Sequence, residues 1–404
     1  MDRRSFLKTG GSAAAGLVVS GCLPRSGPTT RPRPARRPVN LVPVDVSWDR
    51  VIRTTVGLRP HRDSGFVVRA DKLDEKTLIH NFGHGGAGMS LGWGTGYLAT
   101  ELALGQSARN AAVIGCGIVG LTAARQLQRH GFDVTIYAKA LPPDTTSNMS
   151  WAAFTPLSGL VSPERRTPAW DDQFRRAAEI SYREHQLLVG LRYGVSWIEE
   201  YATMTEPRAQ RREGGLGGEG GPNLLPTSVN LGRSLLNPGE HPFSTPYAAR
   251  TPNMRFEPSI YLDALMHDVV LFGGKIVVRA FDTPRDLATL SEPVIVNCTG
   301  LGSKTLFGDE ELTPIKGQLV ALVPQADVTY AAAGMMPRSD GIVLGHVSQR
   351  GNWSMEVDET ERKRVVDRAM TFFASMHAPS IAAPTVLTGP ISAPPLESFF
   401  DRQS

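Results

Sequence analysis

The hydrophobic positions in the middle of the chain follow two patterns in turn, a short continuous apolar run and an amphipathic stretch. Residues 111–114 form a continuous apolar run, which is typical of a strand buried on both faces of a parallel sheet. Leu121, Ala124 and Leu127 then recur at helical spacing, and Asp133–Ala138 predicts a second strand. The pattern therefore predicts a strand–helix–strand unit with parallel strands.

The turn between the first strand and the helix is rich in glycine. It reads Gly115-Cys116-Gly117-Ile118-Val119-Gly120, a G-x-G-x-x-G pattern in the strand–turn–helix setting that gives the pattern meaning. Glycines here let the backbone approach a pyrophosphate closely, and the positive end of the helix dipole favours its charge. We predict a dinucleotide site that includes Gly115, Gly117, Ile118, Val119 and Gly120, together with Ala138 and Lys139 at the end of the second strand.

The end of the second predicted strand departs from this pattern. An acidic residue is expected there to accept a hydrogen bond from a ribose hydroxyl, but Ala138 is followed by Lys139. A lysine cannot accept that hydrogen bond, although it can contact a phosphate. Two interpretations stay open: the ligand is NADP, or the adenosine end of the dinucleotide is held in another way.

Composition excludes several classes of protein. Of 404 residues, 41% are apolar and 20% are charged, as in a globular protein. A net charge of +4 does not provide the broad basic face of a nucleic-acid-binding protein. Three cysteines are too few for a disulfide framework, and the histidines show no metal-ligand spacing. We therefore expect no nucleic acid and no metal.

The first 22 residues predict an export signal rather than part of the fold. Arg3-Arg4 precede a short apolar stretch, and a twin arginine indicates the pathway that exports folded proteins. Cys22 ends this stretch at the position of a lipidated cysteine; a plain signal with an incidental cysteine is the alternative. Residues 23–47, rich in proline and arginine, predict an extended tether. We expect a periplasmic or cell-surface protein, held at the membrane by a lipid anchor.

Four further segments carry motifs. They are Thr145-Thr146-Ser147-Asn148 with Phe154-Thr155-Pro156; Val296-Asn297-Cys298-Thr299-Gly300-Leu301-Gly302; Lys316-Gly317-Gln318-Leu319-Val320; and Met336-Pro337-Arg338-Ser339-Asp340-Gly341 with Gly351-Asn352-Trp353-Ser354. Together they resemble the D-amino-acid oxidases and their FAD-dependent relatives. The resemblance implies FAD as the cofactor. It also implies an α/β fold in which an FAD-binding Rossmann-like domain is interleaved with a mixed-sheet α+β substrate domain.

Two motifs that come last in that family come first here. Gly57-Leu58-Arg59-Pro60-His61-Arg62 resembles its G-[LF]-R-P-x-R, and His80-Asn81-Phe82-Gly83-His84-Gly85-Gly86-Ala87-Gly88 resembles its glycine loop. The tail holds no second copy, so the chain resembles a circular permutant of the family. The loop would be followed by a helix over about residues 95–104. An unrelated small domain at 40–105 is the alternative.

The resemblance assigns roles to individual residues. Arg59 would bind the substrate carboxylate, and a guanidinium suits this role because its fork pairs with a carboxylate through two hydrogen bonds. The glycine loop would run under the flavin, with its N–H groups and the following helix stabilising negative charge. The cofactor residues implied in this way are Gly85, Gly86, Ala87, Gly88, Met89, Ser90, Thr145, Thr146, Ser147 and Gly300, with Gly86 also counted as catalytic. We interpret His80 and His84 as structural residues.

One departure from the family concerns the residues before Met336. The family has two tyrosines four positions apart; Tyr330 matches the first and is a candidate catalytic residue, or else an ordinary aromatic strand residue. The second position holds Gly334. The site would lose a hydroxyl donor there and gain room for a bulkier substrate.

The remaining chain is divided by pattern. Residues 168–201 predict a helix, 259–271 an amphipathic helix and 274–281 a strand, while the glycine-dense 213–221 predicts a surface loop or a lid. The predicted order is signal 1–22, tether 23–47, FAD-binding 48–158, substrate domain 159–255, FAD-binding 256–312, substrate domain 313–380 and a Pro-rich tail 381–404.

The function implied is that of an exported FAD-dependent oxidase. It would oxidise a D-amino acid or related amine by hydride transfer to the flavin, giving an imine, then a keto acid and ammonia, with oxygen reduced to hydrogen peroxide. Two alternatives stay open. A membrane-anchored amine dehydrogenase would pass electrons to a quinone or carrier, and a flavin-binding protein would have no turnover.

Overall fold

The computed structural model describes residues 38–207, 224–229 and 231–377. The predicted signal, most of the tether, the loop at 213–221 and the tail at 381–404 lie outside the described residues. The described part forms one compact unit within Pro38–Ser404.

Fifteen strands and seven α-helices are found in this part of the chain. The strands are β1 (Val51–His61), β2 (Val67–Leu73), β3 (Lys76–Phe82), β4 (Asn110–Ile114), β5 (Asp133–Ala138), β6 (Val195–Met204), β7 (Ser234–Leu236), β8 (Tyr247–Phe256), β9 (Lys275–Val278), β10 (Val294–Asn297), β11 (Thr313–Leu322), β12 (Tyr330–Ala332), β13 (Met335–Arg338), β14 (Gly341–Leu344) and β15 (Gln349–Arg350). The helices are α1 (Gly88–Leu104), α2 (Ile118–Arg129), α3 (Pro168–Leu187), α4 (Pro258–Leu271), α5 (Pro284–Ala288), α6 (Gly302–Phe307) and α7 (Glu359–Ala374).

The smaller sheet has six strands in the order β2-β3-β10-β4-β5-β9. Its strands from β3 to β9 are parallel, and β2 is an antiparallel edge strand. The predicted strand–helix–strand unit is confirmed as β4, α2 and β5. The carboxyl ends of the parallel strands meet at one edge, where open α/β sheets bind their ligands.

The larger sheet is mixed and has nine strands. They follow the order β1-β11-β14-β13-β12-β6-β8-β7, with β15 paired to β11. Strand β1 pairs with β11 along its length, from Val51 to His61. Residues 51–61 were predicted within the FAD-binding part at 48–158, and this placement is wrong. Backbone hydrogen bonds tie them instead to the sheet that also contains β6, β8 and β11.

Helix α1 is buried on almost every side. It packs against α2 and α3, and the indole Nε1 of Trp93 donates to the hydroxyl of Tyr261 at 2.7 Å. A helix that is apolar all round is stable only when it is surrounded by other elements. It begins at Gly88, earlier than the predicted residue 95, because this packing overrides the poor helix propensity of its glycines.

The predicted helix at 168–201 is wrong in its second half. Helix α3 ends at Leu187, and β6 begins at Val195 after a turn. Gly190 and Gly194 in this turn have positive φ angles of 143° and 61°, which glycine adopts easily. The buried residues of β6, Val195, Ile198 and Tyr201, recur every three residues, as they would on a helix. The strand forms because Val195–Met204 pairs with β8 along its whole length.

Candidate functional site

A cavity of about 1070 Å³ lies at the carboxyl ends of the parallel strands. Residues of both sheets line it, including Ile114 and Ala138 of the smaller sheet and Arg59 and Leu319 of the larger one. Its volume is slightly larger than the usual range for small-molecule sites, about 300–1,000 Å³. It can therefore hold a large ligand together with a smaller one.

One end of the cavity is formed by the glycine turn after β4. Gly115, Gly117, Ile118 and Val119 line it, as predicted for a dinucleotide site, and helix α2 begins there. Gly120 does not line the cavity. A β-carbon on it would be 2.0 Å from the carbonyl oxygen of Gly115, so Gly120 is needed to let the helix pack on the turn.

The residues at the end of β5 line the cavity as predicted, but a lysine stands where dinucleotide-binding folds usually have an acidic residue. Ala138 and Lys139 both line the cavity. Arg279 and Asp282, which follow β9, line it beside them, because β9 pairs in parallel with β5 and ends at the same edge. The sequence analysis missed these two residues, and the strand prediction at 274–281 was the signal that could have located them.

A polar segment and a buried amide border the cavity between the two sheets. Thr145, Thr146 and Ser147 line it, and the hydroxyl of Ser147 accepts a hydrogen bond from the backbone N–H of Ile118 at 3.0 Å. Gly300 lines it from the turn after β10. Asn81 also belongs to this wall, but its side-chain amide is fully buried beneath the cavity surface, beside the thiol of Cys298.

The glycine loop lines the cavity, but its N–H groups do not all face a ligand. Gly85, Gly86, Gly88 and Met89 are lining residues, whereas Ala87 and Ser90 are not. The N–H of Gly85 donates to Pro60, that of Gly86 to Ser158 and that of Ala87 to His84. The expectation that these three N–H groups stabilise charge, including the catalytic role of Gly86, is therefore wrong. Within this segment, negative charge on a ligand can be stabilised only by the start of α1, through its helix dipole.

Ser90 has a supporting position. Its hydroxyl accepts a hydrogen bond from the N–H of Thr155 at 2.8 Å. Thr155 itself lines the cavity. Ser90 therefore fixes a wall segment from behind the cavity surface.

Arg59 projects from β1 into the cavity wall. It forms no ion pair within the described residues, and its Nη2 donates one long hydrogen bond of 3.3 Å to the carbonyl of Val347. Burial lowers the pKa of the Arg59 guanidinium, yet a guanidinium keeps its charge at every physiological pH. An uncompensated cation in a cavity is a binding site for an anion.

Tyr330 does not belong to the site, and its predicted catalytic role is wrong. Its hydroxyl donates to the carbonyl of Val42 at 2.9 Å, within a second apolar core that includes Phe373. The neighbouring Ala331 packs instead with Ile198 and Trp151, on the cavity side of the sheet. Successive side chains of a strand point to opposite faces, so position 330 faces away.

Gly334 does not create the extra room that its lack of a side chain predicts. A β-carbon on Gly334 would lie 2.8 Å from Nη2 of Arg368 and 3.2 Å from Cδ2 of His346. Arg368, from α7, donates to the carbonyl of Gly345 at 2.9 Å. The guanidinium of Arg368 thus occupies the space beside Gly334.

The sequence analysis also missed Trp151, Glu200 and His346, which line the substrate side of the cavity. The imidazole of His346 meets the Trp151 ring edge-on at a centroid distance of 5.2 Å. Burial lowers the pKa of His346, with a further contribution from Arg368. No motif marks these residues; their common position appears only when the strands are paired.

The histidines of the glycine loop are structural, as expected. His84 is buried and shares a hydrogen bond of 2.9 Å with the hydroxyl of Thr95, and burial lowers its pKa to about 3. His80 shares one of 3.0 Å with Asn297. The described part of the chain contains no group of three or more potential metal ligands. Its helices include none long and apolar enough to cross a membrane.

The fold and the cavity are those of a dinucleotide-binding protein with room for a second, smaller ligand. The family model "FAD dependent oxidoreductase" (DAO) matches residues 28–102 and 110–393. The chain therefore belongs to the DAO family of FAD-dependent oxidoreductases, and its cofactor is FAD.

Individual proteins that the chain resembles share about a quarter of their residues with it or fewer. A D-amino acid oxidase of Dugesia ryukyuensis is 26% identical over 291 residues, covering 68% of this chain and 81% of that protein. The human D-aspartate oxidase is 24% identical over 278 residues, covering 66% of this chain and 76% of that protein. A crystal structure of glycine oxidase from Geobacillus kaustophilus has 15% identity and a TM-score of 0.45, covering 67% of this chain and 81% of that chain.

The residues of the cavity fit FAD. The glycine turn after β4 and the start of α2 are suited to its pyrophosphate. Lys139 and Arg279 line the cavity at the ends of β5 and β9 and would border the adenosine end. The glycine loop and the start of α1 would border the isoalloxazine ring.

Proposed function

We propose that the protein is an oxidase of D-amino acids. The observation that carries this proposal is the unpaired guanidinium of Arg59 in the wall of the FAD cavity. A carboxylate is the anion whose geometry suits that fork, and an amino acid places its oxidisable Cα–N bond next to its carboxylate. The names of two relatives, a D-amino acid oxidase and a D-aspartate oxidase, support the D configuration.

Each part of the wall has a task in this proposal. Arg59 binds the carboxylate and so fixes the direction of the Cα–H bond. FAD supplies the two-electron oxidation of the Cα–N bond to an imine, which water then hydrolyses to a keto acid and ammonia. The buried imidazole of His84 stays neutral and bonded to Thr95, so it neither binds the carboxylate nor takes a proton. The proton that the amine must lose before it is oxidised is therefore not taken by His84.

A panel of D- and L-amino acids, assayed with the purified FAD-loaded protein, tests the proposal. We expect keto acid, ammonia and hydrogen peroxide from D-amino acids in the presence of oxygen. If keto acid forms only when a quinone or dye is added, the protein is a dehydrogenase and not an oxidase. A flavoprotein that oxidises no member of either series would overturn the proposal.

We further propose that the protein is exported and attached to the membrane through a lipid on Cys22. Arg3-Arg4, the apolar stretch and Cys22 support this. In a bacterial host, the unmodified chain should partition with membranes and carry radiolabelled fatty acid, Cys22→Ala should be released, and an Arg3→Lys, Arg4→Lys variant should stay inside the cell. A wild-type chain without label would exclude the anchor.

A further inference from the structure

Glu200 places a carboxylate in the wall of the same cavity as Arg59. It lies on β6, where it is paired with Ala331 of β12 on the face that carries Ile198 and Trp151. Glu199, the preceding residue, points to the opposite face and lies 3.7 Å from Arg250. The chain therefore directs one of two adjacent glutamates into the cavity.

The carboxylate of Glu200 is held but not neutralised. The side-chain amide of Asn253, which is buried, donates to its Oε2 at 3.1 Å. The amide oxygen of Asn253 accepts a hydrogen bond from the N–H of Met254 at 2.8 Å, which fixes the NH₂ group toward Glu200. No ion pair involves Glu200 in the part of the chain that the structure describes.

The cavity thus contains an anion and a cation that do not neutralise each other. Arg59 and Glu200 both line this cavity, whereas Arg368 is not among its lining residues. The charges of all three affect the pKa of His346, which is lowered chiefly by burial, so they lie near the same part of the wall. A half-buried charge without a partner is unfavourable, and a ligand that brings the opposite charge removes the cost. A ligand with one carboxylate and one ammonium group satisfies both.

The α-amine of the substrate is not the group that suits Glu200. This nitrogen must be uncharged when the C=N bond forms, because its lone pair makes the new bond. A carboxylate beside the amine would raise its pKa and hold the proton. An ammonium group elsewhere on the substrate can stay charged throughout the reaction.

We propose that the substrates are D-amino acids with a positively charged side chain, bound through their carboxylate by Arg59 and through their side-chain ammonium by Glu200. This inference rests on the proposed function of the cavity. It makes Glu200 a specificity-determining residue, with Asn253 positioning its carboxylate.

The first test measures binding without turnover. 6-Aminohexanoate has a carboxylate and an ammonium group but no α-amine, so it cannot be oxidised in this reaction; hexanoate lacks the ammonium. Calorimetric titration of the FAD-loaded protein should show tighter binding of 6-aminohexanoate, by roughly 10- to 100-fold, as expected for a charge-assisted hydrogen bond. Glu200→Gln should abolish the difference. Equal affinity of the two ligands in the wild type would overturn the proposal.

The second test compares turnover of D-lysine, D-ornithine and D-2,4-diaminobutyrate with that of D-norleucine. The wild type should have a higher kcat/KM for at least one basic substrate, and the best chain length reports the distance that the substrate spans. Glu200→Gln should lower kcat/KM for that substrate alone, whereas Glu200→Asp should retain part of the preference. Glu199→Gln, on the opposite face, is the matched control and should leave the preference unchanged.

The outcomes separate the two proposals. If Glu200→Gln lowers kcat/KM equally for norleucine and lysine, Glu200 acts on a group common to all substrates, and the inference is wrong while the oxidase remains. An unchanged preference in Glu200→Gln at full flavin content also overturns it. If no amino acid is oxidised, the proposed function fails, and the aminohexanoate titration still decides whether Glu200 binds a cation.

Discussion

The guanidinium of Arg59 lies against the backbone of Gly317 in the neighbouring strand. A β-carbon at position 317 would be 2.7 Å from Nη2 of Arg59 and 3.0 Å from its Cζ. Gly86 borders the same side chain, since a β-carbon there would be 3.3 Å from Cδ. Two glycines therefore form the slot that aims the guanidinium into the cavity.

Substitution of Gly317 should weaken substrate binding without unfolding the protein. In Gly317→Ala, the end of a flexible arginine side chain has to move, so we expect KM to rise by roughly 10-fold, on the order of one lost hydrogen bond of a charged group. Steady-state kinetics and flavin content measure the effect. As a control, Arg53→Gln should leave KM unchanged, because Arg53 lies on β1 with Arg59 but forms an ion pair with Asp340. An unaltered KM in Gly317→Ala would show that the slot does not position Arg59.

Substitution of Gly120 should release FAD. In Gly120→Ala, the new methyl group would meet the backbone oxygen of Gly115 at 2.0 Å, which cannot move without shifting the turn. Overpacking of this kind costs about 1–3 kcal/mol, so we expect lower thermal stability and weaker FAD binding in a fluorescence titration. Gly105→Ala is the control, because the nearest atom to its β-carbon, the oxygen of Leu102, lies at 3.4 Å. Normal FAD affinity in Gly120→Ala would contradict this account of the turn.

Removal of the Tyr330 hydroxyl should affect stability alone. Tyr330→Phe loses the hydrogen bond to Val42, which should lower the free energy of unfolding by about 1 kcal/mol. kcat/KM should be that of the wild type. Reduced turnover at unchanged stability would restore a catalytic role for this tyrosine.

Acid should destabilise the protein through two buried histidines. Burial lowers the pKa of His84 to about 3 and that of His185 to about 4, from 6.5. The free energy of unfolding is therefore highest, as far as these two histidines determine it, above pH 6.5. It decreases as the pH falls, because the unfolded chain then binds protons that the folded chain does not. At pH 5, each histidine should lower the free energy of unfolding by about 2 kcal/mol relative to its value above pH 6.5, since the loss is about 1.4 kcal/mol per pH unit.

Urea unfolding between pH 5 and 8 measures this dependence. His185→Gln should reduce the slope of unfolding free energy against pH below 6.5 by up to about 1.4 kcal/mol per pH unit. The same slope in wild type and variant would mean that His185 is protonated in the folded protein.

The two ends of the described chain lie close together, because both form hydrogen bonds with residues 240–242. The order of segments can therefore be tested by joining them. The N–H of Val39 donates to Glu240 at 2.9 Å, and that of His377 to Pro242 at 2.8 Å. We propose that the chain is a circular permutant, in which a short linker can join residue 377 to residue 38. In the test variant, the chain is opened between Leu104 and Asn110, and a Gly/Ser linker joins residue 377 to residue 38. This variant should be soluble and bind FAD. Loss of FAD in this chain, but not in one with the same linker inserted after Gly105, would contradict the proposal.

Local signals predicted the nucleotide end of the molecule. A buried apolar run, a glycine turn and an amphipathic helix are all encoded within about 30 residues, so β4, α2 and β5 could be identified from the sequence. Arg59 followed from its motif, which places it between Leu58 and Pro60.

The substrate side depends on pairing between distant strands, which the sequence does not show. A change of one residue in register turns a strand side chain to the other face. Ala331 is paired with Glu200, so position 331 faces the cavity and Tyr330 the opposite core. The same pairing brings Glu200 into the wall, although nothing around it in the sequence distinguishes it from Glu199.

Whether the protein oxidises D-amino acids held by Arg59 is tested most directly by the visible absorbance of the FAD-loaded protein after anaerobic addition of a D-amino acid. We expect the flavin bands to bleach in the wild type. In Arg59→Ala, bleaching should need a roughly 30- to 150-fold higher substrate concentration, which corresponds to about 2–3 kcal/mol for a charge-assisted pair. A flavin that bleaches equally in both proteins would contradict the role of Arg59, and one that no amino acid bleaches would contradict the function itself.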